Sequence, residues 1–131
     1  MNKKIIFVEN SKLIRERCKF ILQAAEYDVA TADNGLKAFN HIIEAKKKRE
    51  PFDYLIGDMF MPKVSGLHFI RMLKSSDINI PFIPIIGLHD KELRRKMILE
   101  GCEIFIYRPI QVKKIMDKII PYLESKLLEK I

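Results

Sequence analysis

The chain has 131 residues, 48% hydrophobic and 31% charged, with five Gly and six Pro, which excludes disordered and fibrous classes and suits one globular domain over residues 1–131. Its two cysteines, Cys18 and Cys102, show no CxxC or Cys/His spacing, and no apolar run approaches the ~18 residues of a membrane span, so disulfide-framework, zinc, secreted and membrane classes fall away and a cytoplasmic protein with reduced thiols is expected. Lys and Arg number 24 against 17 acids, a formal charge of +7, but the basic residues are dispersed and not interleaved with aromatics, so nucleic-acid binding by this domain is not expected.

Short apolar runs alternate with helical patterns five times along the chain. Ile5-Ile6-Phe7-Val8 is continuous and β-branched, as in a strand buried on both faces. Ile14, Cys18, Ile21, Leu22 and Ala25 then recur on one helix face, with Asn10 as a candidate cap. Residues Asp28 to Ala32 read as a weak second strand, and Asn34 suits the cap of a helix turning Leu36, Phe39, Ile42 and Ile43 inward.

After a charged connector, Tyr54-Leu55-Ile56 forms the third strand, which ends at Gly57-Asp58. A loop to Ser65 precedes a helix with Leu67, Ile70 and Leu73 inward, for which Ser65 is a candidate cap. Pro81 and Pro84 suit a strand's approach and not its centre, so the fourth strand is expected over residues 85–88. Asp90 caps a basic helix with Leu93 and Met97 inward, which Gly101 stops. Residues 104–107 read as strand five. The last helix starts near Gln111 and carries Val112, Ile115, Met116, Ile119 and Leu123 on one stripe; Pro121 inside that stripe predicts a kink or split. Leu127, Leu128 and Ile131 continue the apolar character beyond Leu123, which predicts contact with a second chain or a following domain.

This alternation predicts an α/β protein with a mostly parallel sheet, whose functional groups gather at the carboxyl ends of the strands. Those ends carry Glu9-Asn10, Asp58, His89 and Arg108-Pro109. Two acids, an amide, a histidine and an arginine could together form a polar pocket for a cation and an anion.

The phrases KKIIFVENSKLIRE, FDYLIGDMFMPKVSGLHFIRMLKS, IPIIGLHD and GCEIFIYRPI resemble the receiver domain of bacterial two-component response regulators, of the chemotaxis-regulator kind, from about Lys3 to Leu123. The middle phrase is the most specific: an apolar strand, Asp, two residues, Met-Pro and a later Gly. The resemblance implies a flavodoxin-like (βα)5 fold with a five-stranded parallel sheet in the order 2-1-3-4-5. It implies Asp58 as phosphoacceptor, and Glu9, Asn10, Asp58 and the Phe60 backbone carbonyl as ligands of Mg²⁺. His89 falls at the hydroxyl position and Arg108 at the lysine position of the phosphate-binding switch. A histidine kinase or phosphotransfer protein is the implied partner, with a homodimer or an output domain as further partners, and no enzymatic activity is implied. The Arg108–Pro109 peptide falls where that family has a cis bond, which an X-Pro pair tolerates at ~0.5–1 kcal/mol.

Only Asp58 keeps the family's residue type. Asn10 offers an oxygen without charge, so the site drops to two carboxylates and one cation. At about 4 Å and an effective dielectric near 20, the missing charge is worth up to ~4 kcal/mol of gross attraction, and Mg²⁺ binding is expected to be weak or lost. Arg108 can grip a phosphate with two donors, or pair with Asp58 when none is present. The imidazole of His89 is bulkier than the hydroxyl it replaces and unsuited to a small inward swing.

Two functions stay open on these residues: an inefficient phosphoacceptor receiver, and a pseudo-receiver that acts through protein contacts without phosphorylation. A flavin carrier would need a hydroxyl-rich loop after strand one, where NSKLIRE has a single Ser, and an aspartyl phosphohydrolase would want Asp where Phe60 stands.

Overall fold

The computed structural model describes residues 2–59 and 65–129. Strands β1 (Lys4–Val8), β2 (Asp28–Ala32), β3 (Tyr54–Asp58), β4 (Phe82–Gly87) and β5 (Ile106–Arg108) form one sheet in the order β2-β1-β3-β4-β5. Every pair is parallel, with Val8 opposite Gly57, Asp58 opposite Ile85 and Gly87 opposite Arg108. Between the strands run α1 (Lys12–Ala24), α2 (Gly35–Lys47), α3 (Gly66–Ser75) and α4 (Lys91–Leu99). This is the fold and strand order that the sequence predicts.

Strand alternation divides the core. Ile5, Phe7, Tyr54, Ile56, Ile83, Ile85 and Ile106 face one way, against Cys18 and Leu22 of α1 and against Ile115, Ile119 and Leu123. Ile6, Val8 and Leu55 face the other way, against Ala38 and Ile42 of α2 and Phe69 and Leu73 of α3. Phe7 and Phe69 are fully buried, each worth roughly 1.5–3 kcal/mol relative to an exposed side chain. Ile86, Met97 and Cys102 complete a third cluster with Met59 and Ile70.

Helix starts are set by short polar side chains. Asn34, Ser65 and Asp90 accept hydrogen bonds from the backbone N–H groups of Lys37, His68 and Leu93, as their sequence positions suggest. At α1 the cap is Ser11, which accepts from Ile14, and not Asn10. Leu36 is exposed and Ala38 takes the inward place, because the buried stripe of α2 runs through Gly35, Ala38 and Ile42. Gly101 ends the α4 segment with φ of +101°, a backbone conformation that glycine alone adopts without strain.

The prolines change two boundaries. Pro84 lies inside β4, not before it. The carbonyls of Pro81 and Ile85 bond to Leu55 and Met59 of the β3 side, so by alternation Pro84 turns its absent N–H away from β3. Pairing with β5 starts only at Ile85 opposite Ile106. Pro84 therefore costs no ladder bond, and β5 spans residues 106–108 instead of 104–107.

The last helix, α5, has three segments: Val112–Lys114, a π-helical stretch Ile115–Ile119, and Ile120–Glu129. The chain thus passes Pro121 without a break. The wider π turn lies where the proline ring would otherwise meet the Asp117 carbonyl one turn back. The Arg108–Pro109 peptide is cis, as expected. No helix of the described residues is long and apolar enough to cross a membrane.

Candidate functional site

The inward alternation on the α1/α5 face determines what stands at the carboxyl edge. Ile5 and Phe7 lead to Glu9, Tyr54 and Ile56 to Asp58, Ile83 and Ile85 to Gly87, and Ile106 to Arg108. Counting by two brings three charged side chains and one glycine to the same place.

Glu9 and Asp58 are 2% and 4% exposed. Buried carboxylates need partners, and both are partnered. Glu9 Oε2 accepts the Ser11 backbone N–H at 2.7 Å, and Glu9 Oε1 accepts Arg108 Nη2 at 2.6 Å. The same Arg108 nitrogen donates to Asp58 Oδ2. One guanidinium nitrogen therefore spans both acids. Burial works against the charge of Arg108, but the hydrogen bond and charge of Glu9 together with those of Asp58 outweigh it and hold its pKa above the ordinary value.

The main chain around the site is fixed by groups of low sequence prominence. Arg15 Nη1 donates to the carbonyls of Glu9 at 2.8 Å and Asn10 at 3.2 Å. The Glu9 N–H donates to Ala32 at 3.0 Å and the Met59 N–H to Ile85 at 3.0 Å. Gly66 donates to the Met59 carbonyl at 3.2 Å, and a Cβ on Gly66 would lie 2.8 Å from Met59 Cα. Only glycine permits that approach, which closes the two ends of the loop after β3.

The structure brings Glu9, Asp58 and Arg108 into contact. Asn10 is exposed beside them, with its carbonyl held by Arg15. His89 is exposed in the turn after β4, two residues past Gly87. The β4 residue in register with Arg108 is Gly87. Reading the sequence by strand ends alone missed Gly87, Ser11 and Arg15; the period-two count from Ile83 and Ile85 points to Gly87, and the i+4 position on α1 relates Arg15 to Ser11. Phe60 lies outside the described residues.

Mg²⁺, the ion that the acids at this edge would suit, wants several hard oxygens. Both oxygens of Glu9 are engaged, one by a backbone N–H and one by a cation. Asp58 is bonded to that same cation, and Asn10 adds no charge. Among the described residues no cluster of three or more His, Cys, Asp or Glu side chains is placed to hold a metal ion. In this arrangement the residues do not fit a resident divalent ion.

Known proteins share both the sequence pattern and the fold. The polar-differentiation response regulator DivK of Brucella anthropi is 29% identical over 125 residues, covering 94% of this chain and 98% of that protein. Among solved structures, the chemotaxis response regulator CheY4 of Vibrio cholerae superposes with a TM-score of 0.74 at 24% identity, covering 91% of this chain and 97% of that one. The N-terminal domain of a protein from Wolinella succinogenes gives 0.80 at 24% identity, covering 97% and 98%. At such identities the structural matches attest to the fold alone. The sequence model for the response regulator receiver domain matches residues 5–120, which takes in the five strands except Lys4 at the start of β1, together with the Glu9–Asp58–Arg108 triad, and the chain belongs to that family.

Proposed function

We propose that the protein is a cytoplasmic receiver that accepts a phosphoryl group on Asp58 from a histidine kinase or phosphotransfer protein, at a low rate. The observation that supports this is the position of Asp58: 4% exposed, at the carboxyl end of β3, with its carboxylate against the Arg108 guanidinium. A carboxylate oxygen of Asp58 attacks the phosphorus of a phosphohistidine. The P–N bond breaks, the imidazole leaves with the electron pair and takes a proton from water, and an aspartyl phosphate remains. The product carries about one more negative charge than the carboxylate it replaces. Arg108 is the cation in reach of that charge, and its planar fork of donors suits phosphate oxygens. The low rate follows from Asn10 standing where a third carboxylate would help hold a metal ion, and from the bond that Arg108 already makes to the attacking group.

A second reading, a phosphorylation-independent interaction module, draws support from the bridging of both carboxylates by one Arg108 nitrogen. In either reading the apolar end of α5, with Leu128 71% exposed, is proposed to meet a second chain or a following domain. The test is incubation with a small phosphoryl donor, with Mg²⁺ and with a chelator, followed by intact-mass analysis. A gain of one phosphoryl group that Asp58→Asn abolishes supports the receiver. No gain under either condition, with the fold intact, leaves the interaction module.

A further inference from the structure

The Glu9–Arg108–Asp58 triad raises the question of what neutralises the acids. Two carboxylates, both more than nine-tenths buried, share one guanidinium nitrogen. Glu9 directs its other oxygen to the Ser11 N–H, so Oε1 is the oxygen it turns to Arg108. That oxygen and Asp58 Oδ2 both meet Nη2. A cation that bridges Glu9 Oε1 and Asp58 Oδ2 must use the ground Arg108 holds.

We propose that Arg108 is the resident cation of this site, and that a divalent ion binds Glu9 and Asp58 only by displacing its guanidinium. The backbone of Arg108 is fixed by the pairing of Gly87 with Arg108, but its side chain is 31% exposed, so the stem reaches in from the surface and can rotate out. Charge-assisted hydrogen bonds hold it in place, about twice as strong as neutral ones. A divalent ion must break both bonds and shed part of its own reluctant water shell. The measured affinity is then the intrinsic one multiplied by the fraction of molecules with Arg108 turned out. The consequence for phosphotransfer, an acceptor opened by metal and closed by Arg108, rests on the reading of Asp58 given above. The competition itself is measured without a phosphoryl donor, so the two readings fail separately.

The experiment is an MgCl₂ titration at constant ionic strength, followed by NMR of the Ser11 and Asp58 amides and of the Arg108 side-chain N–H signals. In the unaltered protein the Arg108 signals should move to those of a solvated guanidinium with the same midpoint as the two amides. Arg108→Gln keeps a polar stem without charge and should tighten Mg²⁺ about tenfold or more, as expected if the open fraction is about a tenth or less. Amides that shift while the Arg108 signals stay fixed would overturn the proposal. So would an affinity in Arg108→Gln within about twofold of the unaltered protein. If Arg108→Gln does not fold, the Arg108 signals of the unaltered protein still decide.

Discussion

Arg15 Nη1 sits 2.8 Å from the carbonyl oxygen of Glu9, tying the first turn of α1 to the residue that follows β1. Ser11 makes the reciprocal tie, with its N–H on Glu9 Oε2. The acid at the site is thus held by main chain and side chain at once. Arg15→Ala removes a charged hydrogen bond at a half-buried position and should destabilise the fold by about 1–2 kcal/mol in urea unfolding. The same change should loosen Glu9, seen as broadening of the Ser11 amide resonance. A Ser11 resonance as sharp as in the unaltered protein would mean that the Ser11 bond alone positions Glu9.

Asn10 lies beside Glu9 and adds an oxygen without charge. Asn10→Asp raises the carboxylates at the site from two to three and should strengthen Mg²⁺ binding severalfold, since each unit of charge near 4 Å is worth up to ~4 kcal/mol before solvation compensates. Because Asn10 is exposed, most of that is screened, and the gain should shrink with added salt. Labelling of Asp58 by a small phosphoryl donor should rise in parallel. A metal affinity that is unchanged at low salt would show that the missing charge is not the weakness.

Three buried groups make stability fall in alkali. Burial, with Glu9 nearby, pushes the Cys18 thiol from 9.0 to about 11. Burial pushes Cys102 from 9.0 to about 11, where Lys74 and Glu100 act in opposite senses. Burial, then Glu124 and Tyr54, push Tyr27 from 10.0 to about 12. Each folded pKa is raised, so the native state keeps protons that the unfolded chain loses. Their contribution is complete below about pH 9 and is lost as pH rises towards about 12. Urea midpoints measured at pH 8 and pH 10 should fall in that order. Both thiols should react with a disulfide reagent slowly at neutral pH and fully only on unfolding. Rapid labelling of either in the native protein would contradict its burial.

How much was legible in the sequence follows the physics of each element. The strand order, the caps at Asn34, Ser65 and Asp90, and the cis peptide at Arg108 could be anticipated, because each rests on local residue type or on the family resemblance. Pro84 could not be placed from local rules, since its harmlessness depends on which neighbour its missing N–H faces. The π turn at Ile115–Ile119 is a compromise between Pro121 and an apolar stripe that must stay on the sheet. Leu36 turns outward because the buried stripe of α2 runs through Ile42 and through Gly35 and Ala38, small residues that an apolar count passes over. At the site, the three charged residues were legible as strand ends, whereas Gly87 carries no side chain to draw attention.

The exposed end of α5 gives a prediction about association. Leu128 is 71% exposed and Leu127 half-buried; Ile131 lies outside the described residues. If this end packs on a second copy, sedimentation should show a concentration-dependent dimer that Leu128→Glu dissociates, since a charge buried without a partner costs several kcal/mol. A monomer at all concentrations, in a protein whose gene ends at Ile131, would remove both the dimer and the following domain.

The last prediction separates Gly87 from His89 at the phosphate-binding switch. Gly87 is in register with Arg108 and follows Ile83 and Ile85 on the face that carries Asp58. Among the described residues a Cβ added there would meet only Asp90 Cβ, at 3.9 Å, an ordinary contact that leaves room for a small side chain. His89 stands exposed in the turn beyond the strand. A hydroxyl can read a phosphoryl group only from within hydrogen-bond reach, and a switch moves only through contacts that differ between its two states. Gly87→Ser should therefore leave stability within about 1 kcal/mol of the unaltered protein. Combined with Asn10→Asp, it should produce phosphoryl-dependent shifts in the amides of α4 and β5. His89→Thr with Asn10→Asp should label Asp58 equally well yet leave those amides close to where they began. If His89→Thr gives the larger shifts, the turn after β4 must fold inward on phosphorylation, and the switch position is the one assigned from the sequence.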